Sequence, residues 1–293
     1  MSLLRHRTSE AKTNLLRLSG SDTIQADFTA KSSPLHPVWN RMIGAGYARD
    51  LLLAIVQDSI RRSVKEIAFQ GFLLHGIFQD EIGAFRAACL DVSAACTGFL
   101  AVYELGQLYI RSGKAKNVLL IGADALSRLV DWSDRGTCIL FGDGAGAVVL
   151  TAEEQETKAC EKIHSDGEKG VSLTCEKGTY LQMDGRAVFQ FALSRVPEVI
   201  REVLAEADMA VEEIDAFILH QANSRIIDGV AKRLKAPKEK FPRNIEAYGN
   251  TCAASIPILL DEWNRSGRAQ KGQRIVLSGF GAGLIWGAAY LEW

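Results

Sequence analysis

Residues 87 to 99 read Ala-Ala-Cys-Leu-Asp-Val-Ser-Ala-Ala-Cys-Thr-Gly-Phe. A short, mainly apolar run from Leu90 to Ala95 meets Cys96, and a helical pattern of Phe99, Val102, Tyr103, Gly106, Tyr109 and Ile110 starts at once. The pattern predicts strand, tight turn and helix, with Cys96 at the turn. Small neighbours, Ser93, Ala94, Ala95 and Gly98, let another backbone or a substrate come close. A thiol at a helix N-terminus meets the positive end of the helix dipole, which favours the thiolate. A cysteine in an apolar stretch is also what a buried structural residue looks like, so the rest of the chain has to decide.

Downstream the pattern stays regular. Asn117 to Ile121 predicts a buried strand ending at Gly122, residues 126–137 a polar loop around Trp132, and Phe141 to Leu150 a glycine turn entering a strand. Residues 151–178 are polar and read as a linker or surface excursion. A second block follows: helix Val188 to Ala207, strand Ile214 to Leu219 running straight into His220-Gln-Ala-Asn223, and an amphipathic helix over 223–235. Tyr248-Gly-Asn-Thr-Cys252 leads into a helix from Ser255 to Asn264, with Pro257 in its first turn. Strand Arg274 to Leu277, turn Gly279-Phe-Gly-Ala-Gly283 and strand Ile285 to Leu291 complete the chain.

The two blocks repeat each other in kind, residues 96–150 against 250–291. The repetition predicts a duplicated α/β unit with a largely parallel sheet covered on both faces. In such a unit the turns at Cys96 and Asn250 converge between halves. Gly142, Gly144 and Gly146 lack a P-loop lysine and the dinucleotide-fold spacing, so packing turns are expected rather than a phosphate cradle. Upstream, residues 20–40 with Pro34 and Pro37 read as loop, 47–66 as a helix carrying Leu51, Leu52, Ile55, Ile60 and Val64, and 67–78 as an apolar run without period.

Composition bounds the function. The 293 residues carry a net charge of -1, 47% hydrophobic and 24% charged side chains, as in an ordinary globular protein. No basic excess points to nucleic acid, and no run is long enough to span a membrane. The six cysteines show no C-x-x-C spacing, so neither a zinc site nor a disulfide framework is indicated, and reduced thiols in the cytoplasm are expected. The N-terminus lacks the apolar core of a secretory signal.

Asp91-Val-Ser-Ala-Ala-Cys-Thr-Gly-Phe99, Phe141-Gly-Asp-Gly-Ala-Gly146, His220-Gln-Ala-Asn223, Tyr248-Gly-Asn-Thr251 and Gly279-Phe-Gly-Ala-Gly283 together resemble β-ketoacyl-acyl carrier protein synthase III. The likeness runs from about Ala87 to Trp293. It implies the thiolase-like α/β fold, two βαβαβ halves in five layers, with one half over 86–152 and the other over 178–293. It implies Cys96 as the acyl-accepting nucleophile, His220 and Asn250 as stabilisers of the malonyl enolate, and the N–H groups of Cys96 and Ala282 as the oxyanion hole. Arg135 and Arg225 match positions that touch carrier protein or CoA, although solvated surface arginines are the competing reading. Asn223 belongs to the same group of substrate or carrier contacts, and Phe189 matches a residue lining the pantetheine tunnel. The partners implied are acyl-CoA, malonyl-acyl carrier protein and a second copy of the chain, with no cofactor or metal.

The family's opening segment has no counterpart in residues 1–85, and Trp39-Asn40-Arg41 stands out of context for the family's adenine clamp. That segment reads as divergent or aberrant, rearranged or out of frame. Two rival functions follow: a non-catalytic remnant without a complete CoA site, and a specialised polyketide-type relative.

Overall fold

The computed structural model describes residues 87–152, 158–176 and 178–293, together with the backbone of two short strands, β1 (Leu16–Leu18) and β2 (Leu52–Gln57). The strand-turn-helix around Cys96 is present. β3 (Cys89–Val92) passes through a 3-10 turn, Ala95–Thr97, into α1 (Gly98–Arg111). With β4 (Asn117–Ala125) and β5 (Asp143–Ala152) these strands form a sheet ordered β1-β5-β4-β2-β3.

The second half begins with β6 (Cys160–Ser165) and a two-stranded ribbon of β7 (Leu173–Thr174) and β8 (Gln182–Met183). Then come α2 (Gly185–Glu206), β9 (Ala216–Leu219), α3 (Ser224–Leu234), α4 (Ser255–Arg265), β10 (Arg274–Gly281) and β11 (Ile285–Glu292). Its main sheet is ordered β6-β11-β10-β9. Asp184 caps α2 by accepting from the backbone N–H groups of Arg186 and Ala187, and Asn223 caps α3 by accepting from that of Arg225.

Apolar faces decide the layering. Phe99, Val102 and Tyr103 of α1 and Leu259, Leu260 and Trp263 of α4 pack between Val118, Leu120 and Leu150 of the first sheet and Ile218, Ile275 and Leu277 of the second. Ile200 and Val203 of α2 and Ile227 and Val230 of α3 cover the other face of the second sheet at Phe217, Val276 and Tyr290. Each such aliphatic or aromatic side chain contributes about 1.5–3 kcal/mol by burial. Among the described residues the stack is thus helices, sheet, helices, sheet. The expectation of a fifth layer concerns residues outside those described.

Several expectations need correction. The sheets are mixed rather than largely parallel: β2 pairs parallel with β3 and β4, and β9 with β10, while β1·β5, β4·β5, β10·β11 and β6·β11 are antiparallel. No helix crosses over between β4 and β5 or between β10 and β11, so each pair returns on itself. β4 continues through Gly122 to Ala125, and β10 through Gly279 to Gly281, so Gly122 and Gly279 sit inside strands rather than ending them. Residues 160–165, read as part of a linker, form an edge strand whose exposed side accounts for its polar composition. Within the expected helix 47–66 the chain forms β2 instead, because Leu52-Leu-Ala-Ile-Val56 is a continuous apolar run suited to a parallel strand. The remainder of that span, the loop 20–40, the run 67–78 and Trp39-Asn40-Arg41 lie outside the described residues.

Candidate active site

Two corresponding corners carry the chemistry. Each has a non-glycine residue at positive φ, Ala95 at 46° and Cys252 at 52°, opening a 3-10 turn that leads into a central helix. A non-glycine residue there is uncommon and costs about 1–3 kcal/mol, a strain that recurs where a side chain is held for function. The corner after Ala95 presents Cys96 at the N-terminal end of α1. The matching position after Cys252 is Ala253, so Asn250 enters from ahead of its own corner rather than as the direct counterpart of Cys96.

Glycines let the two corners meet. A Cβ on Gly122 would overlap the Ala253 carbonyl, and one on Gly142 the Tyr248 carbonyl. Gly144 and Gly146 pack against Ile258, Thr251 and Pro257, so the Phe141–Gly146 motif is a packing element, as expected. A Cβ on Gly281 would stand 2.6 Å from the Cys96 nitrogen, and one on Gly279 would stand 3.3 Å from His220 Cβ and 3.6 Å from the Cys96 carbonyl oxygen. β10 therefore runs directly beneath both side chains, and the turn containing Ala282 follows it. The Thr97 hydroxyl donates to the Ile285 carbonyl at 3.1 Å and pins the cysteine corner to β11.

Cys96, His220 and Asn250 line one cavity of about 120 Å³. Phe189 and Asn223 line it as well, with apolar walls from Leu140, Phe141, Val188, Ile226 and Phe280. Arg135 and Arg225 do not; both are exposed on the surface. The catalytic candidates themselves are 7%, 3% and 6% exposed, which leaves little water to compete for their hydrogen bonds.

His220 directly follows β9, and its N–H donates to the Ser278 carbonyl at 2.8 Å. Its Nδ1 lies 2.7 Å from Ser255 Oγ, and its ring meets Phe280 edge-on at 5.6 Å. Burial pulls its pKa down to about 4, so the ring is neutral near pH 7. Asn250 is gripped through its backbone: its N–H donates to the Leu140 carbonyl at 2.8 Å, and its own carbonyl accepts from Gly142 at 2.9 Å. The Cys252 N–H donates to Asn250 Oδ1 at 2.9 Å, which fixes the amide orientation and leaves Nδ2 as its donor toward the cavity.

Behind the site lie residues that sequence reasoning did not single out. Cys252 packs with Cys96 and Leu126. A hydrogen bond to Cys96 and then burial hold the Cys252 thiol well above its usual pKa. Asp124 is fully buried, accepts from the Ala253 N–H at 2.9 Å through Oδ2, and is pushed toward its neutral form chiefly by burial. Ser255 was legible only as a helix start. No local pattern marks a contact spanning 35 residues.

A family profile described as 3-Oxoacyl-[acyl-carrier-protein (ACP)] synthase III matches residues 90–167, and its C-terminal counterpart matches residues 204–293. The chain is 49% identical over 233 residues to beta-ketoacyl-[acyl-carrier-protein] synthase III of Microcystis aeruginosa, covering 73% of this chain and 70% of that one. It is 48% identical over 231 residues to the protein of that name in Clostridium perfringens, covering 74% and 71%. The crystal structure of 3-oxoacyl-[acyl-carrier-protein] synthase III from Aquifex aeolicus superimposes with a TM-score of 0.80 at 39% identity, over 86% of this chain and 81% of that one.

Proposed function

The chain belongs to the 3-oxoacyl-[acyl-carrier-protein] synthase III family, thiolase-fold condensing acyltransferases of fatty-acid synthesis, and on that footing we propose how its own residues divide the reaction. An acyl-CoA, a malonyl-acyl carrier protein and one proton give a 3-oxoacyl-acyl carrier protein, free CoA and carbon dioxide. The observation that carries the assignment is the shared cavity of Cys96, His220 and Asn250.

In the first half-reaction the Cys96 sulfur attacks the thioester carbon, and its proton ends on the departing CoA sulfur. The new C–S bond forms as charge builds on the carbonyl oxygen, and the bond to the CoA sulfur breaks as that oxygen collapses. The N–H groups of Cys96 and Ala282 are assigned to this oxyanion; the close approach of Gly281 to the Cys96 backbone supports the pairing. In the second, the bond to the malonyl carboxylate breaks and its electrons pass to the thioester oxygen as an enolate. His220 Nε2 and Asn250 Nδ2 donate to that oxygen while the enolate carbon attacks the acyl group and releases the Cys96 sulfur. A neutral imidazole and an amide suit this task, because both donate without carrying a charge into the buried cavity.

The steps balance with no electron donor or Lewis acid, so acyl-CoA and malonyl-acyl carrier protein are assigned as substrates and no cofactor is invoked. Phe189 and Asn223, at the cavity wall, are assigned to the thioester arm. Arg135 and Arg225, outside it, are assigned to CoA phosphates or the carrier, which guanidinium groups suit. A homodimer through the edge strand β3 is inferred, and so is a cytoplasmic location. Six free cysteines fit a reducing compartment, and no helix among the described residues is long and apolar enough to cross a membrane.

The test is intact-protein mass after mixing with acetyl-CoA, for the wild type and for Cys96→Ser. An acetyl adduct on the wild type alone is expected. A folded wild type that acquires none would overturn the assignment and favour a remnant without a working CoA site.

A further inference from the structure

Resting on the role assigned to His220, we propose that the Ser255 hydroxyl is the positioning group that holds His220 in the tautomer with its hydrogen on Nε2. A neutral imidazole has one N–H, and the partner of the buried nitrogen decides which nitrogen carries it. Two polar groups lie on the Nδ1 side of the ring. One is Ser255 Oγ, 2.7 Å from Nδ1, and the other is the Cys252 carbonyl oxygen, which sits 2.8 Å from that same Oγ and can only accept. If Nδ1 kept the hydrogen, Nε2 would face the cavity as a bare lone pair and could give nothing to an enolate oxygen. Only the hydroxyl can supply a hydrogen to Nδ1, and that sends the ring hydrogen to Nε2.

The hydroxyl is free to do so. Its single hydrogen has two acceptors within reach, His220 Nδ1 and the Cys252 carbonyl oxygen at 2.8 Å. The carbonyl does not depend on it, because the Ser255 backbone N–H already donates there. The Gln221 N–H donates to Oγ at 3.3 Å and occupies one lone pair without using the O–H. Ser255 is 2% exposed, so water does not compete for either partner. The hydroxyl touches no substrate and acts only through His220.

Replacing Ser255 by alanine removes the donor to Nδ1 and leaves only acceptors such as the Cys252 carbonyl on that side, so nothing keeps the ring hydrogen on Nε2. The two half-reactions then separate. Acetylation of Cys96 from acetyl-CoA, followed by intact mass, is expected to keep its wild-type rate within a few-fold in Ser255→Ala. Single-turnover condensation of the acetylated enzyme with malonyl-acyl carrier protein is expected to fall by ~10²-fold or more, as for loss of one preorganised donor. Equal loss of both half-reactions, or loss of neither, would overturn the proposal, because a merely structural serine has no reason to spare acylation. A wild type that acetylates but does not condense would instead sink the role given to His220. If the variant does not fold, ¹⁵N NMR of the wild-type imidazole decides alone: protonated Nε2 with bare Nδ1 is expected, and the reverse refutes the proposal.

Discussion

A methyl group at Gly281 has nowhere to go. It would lie 2.6 Å from the Cys96 nitrogen and 3.0 Å from Cys96 Cβ, both held by the cysteine corner, and the nitrogen belongs to rigid backbone. Gly281→Ala is therefore expected to destabilise the fold by about 1–3 kcal/mol, the usual range for overpacking, and to slow formation of the acetyl adduct by displacing the Cys96 N–H. Thermal unfolding and adduct mass read the two effects. Gly167→Ala, where a Cβ meets nothing within 4 Å, is the control that should change neither. An unaffected Gly281→Ala would mean that β10 does not press on the nucleophile. The Gly-Phe-Gly-Ala-Gly stretch was legible as a turn whose Ala282 N–H the resemblance assigns to the oxyanion, but the packing role of Gly281 was not. A strand glycine serves whatever backbone approaches it, and that neighbour comes from 185 residues away in the chain.

Among elements, β3 is the one through which the proposed homodimer would form. Among the described residues it is the last strand of its sheet, next to β2. Its residues Cys89–Val92 are all half-buried, with Leu90 and Val92 packed against the central core on one face. An apolar edge of this kind pairs with another strand or must be protected from doing so. Light scattering is expected to read twice the 32.0 kDa chain mass. Leu90→Lys, which puts a charge on that edge, should shift the population toward the single chain; a monomeric wild type refutes the assignment. The helices were the most legible elements, because α1, α3 and α4 each show an apolar stripe at helical spacing between clear start and stop residues. Edge strand β6 was not, since Cys160-Glu-Lys-Ile-His-Ser165 owes its strand state to pairing with β11 rather than to its own pattern.

For the molecule as a whole, His220 couples folding to pH. The unfolded chain takes a proton on this side chain near pH 6.5, while the folded one refuses it until about pH 4. Between those values the unfolded state binds more protons, so stability falls as the pH drops through the window and the loss levels off below it. The span corresponds to about 3 kcal/mol. Buried Asp124 acts with the opposite sign, because its raised pKa lets the folded state hold a proton that the unfolded chain gives up. Denaturant melts of the wild type and His220→Gln from pH 4 to pH 7 separate the two. The glutamine variant should lose the part of the acid destabilisation that belongs to His220. Parallel curves for both proteins would show that the buried ring is not what couples folding to pH.

The sequence alone determined the α/β class, the duplicated halves, the corner carrying Cys96 and the family likeness. These follow from burial periodicity and backbone rules that operate within a few residues. Only the tertiary structure decided that the sheets are mixed, that Gly122 and Gly279 lie within strands, and that Phe189 and Asn223 reach the cavity while Arg135 and Arg225 do not. It alone brought Ser255 to His220 and Cys252 to Cys96. Such contacts depend on how the two central helices and the two sheets close over one another, and no local pattern of residues encodes the angle at which they do.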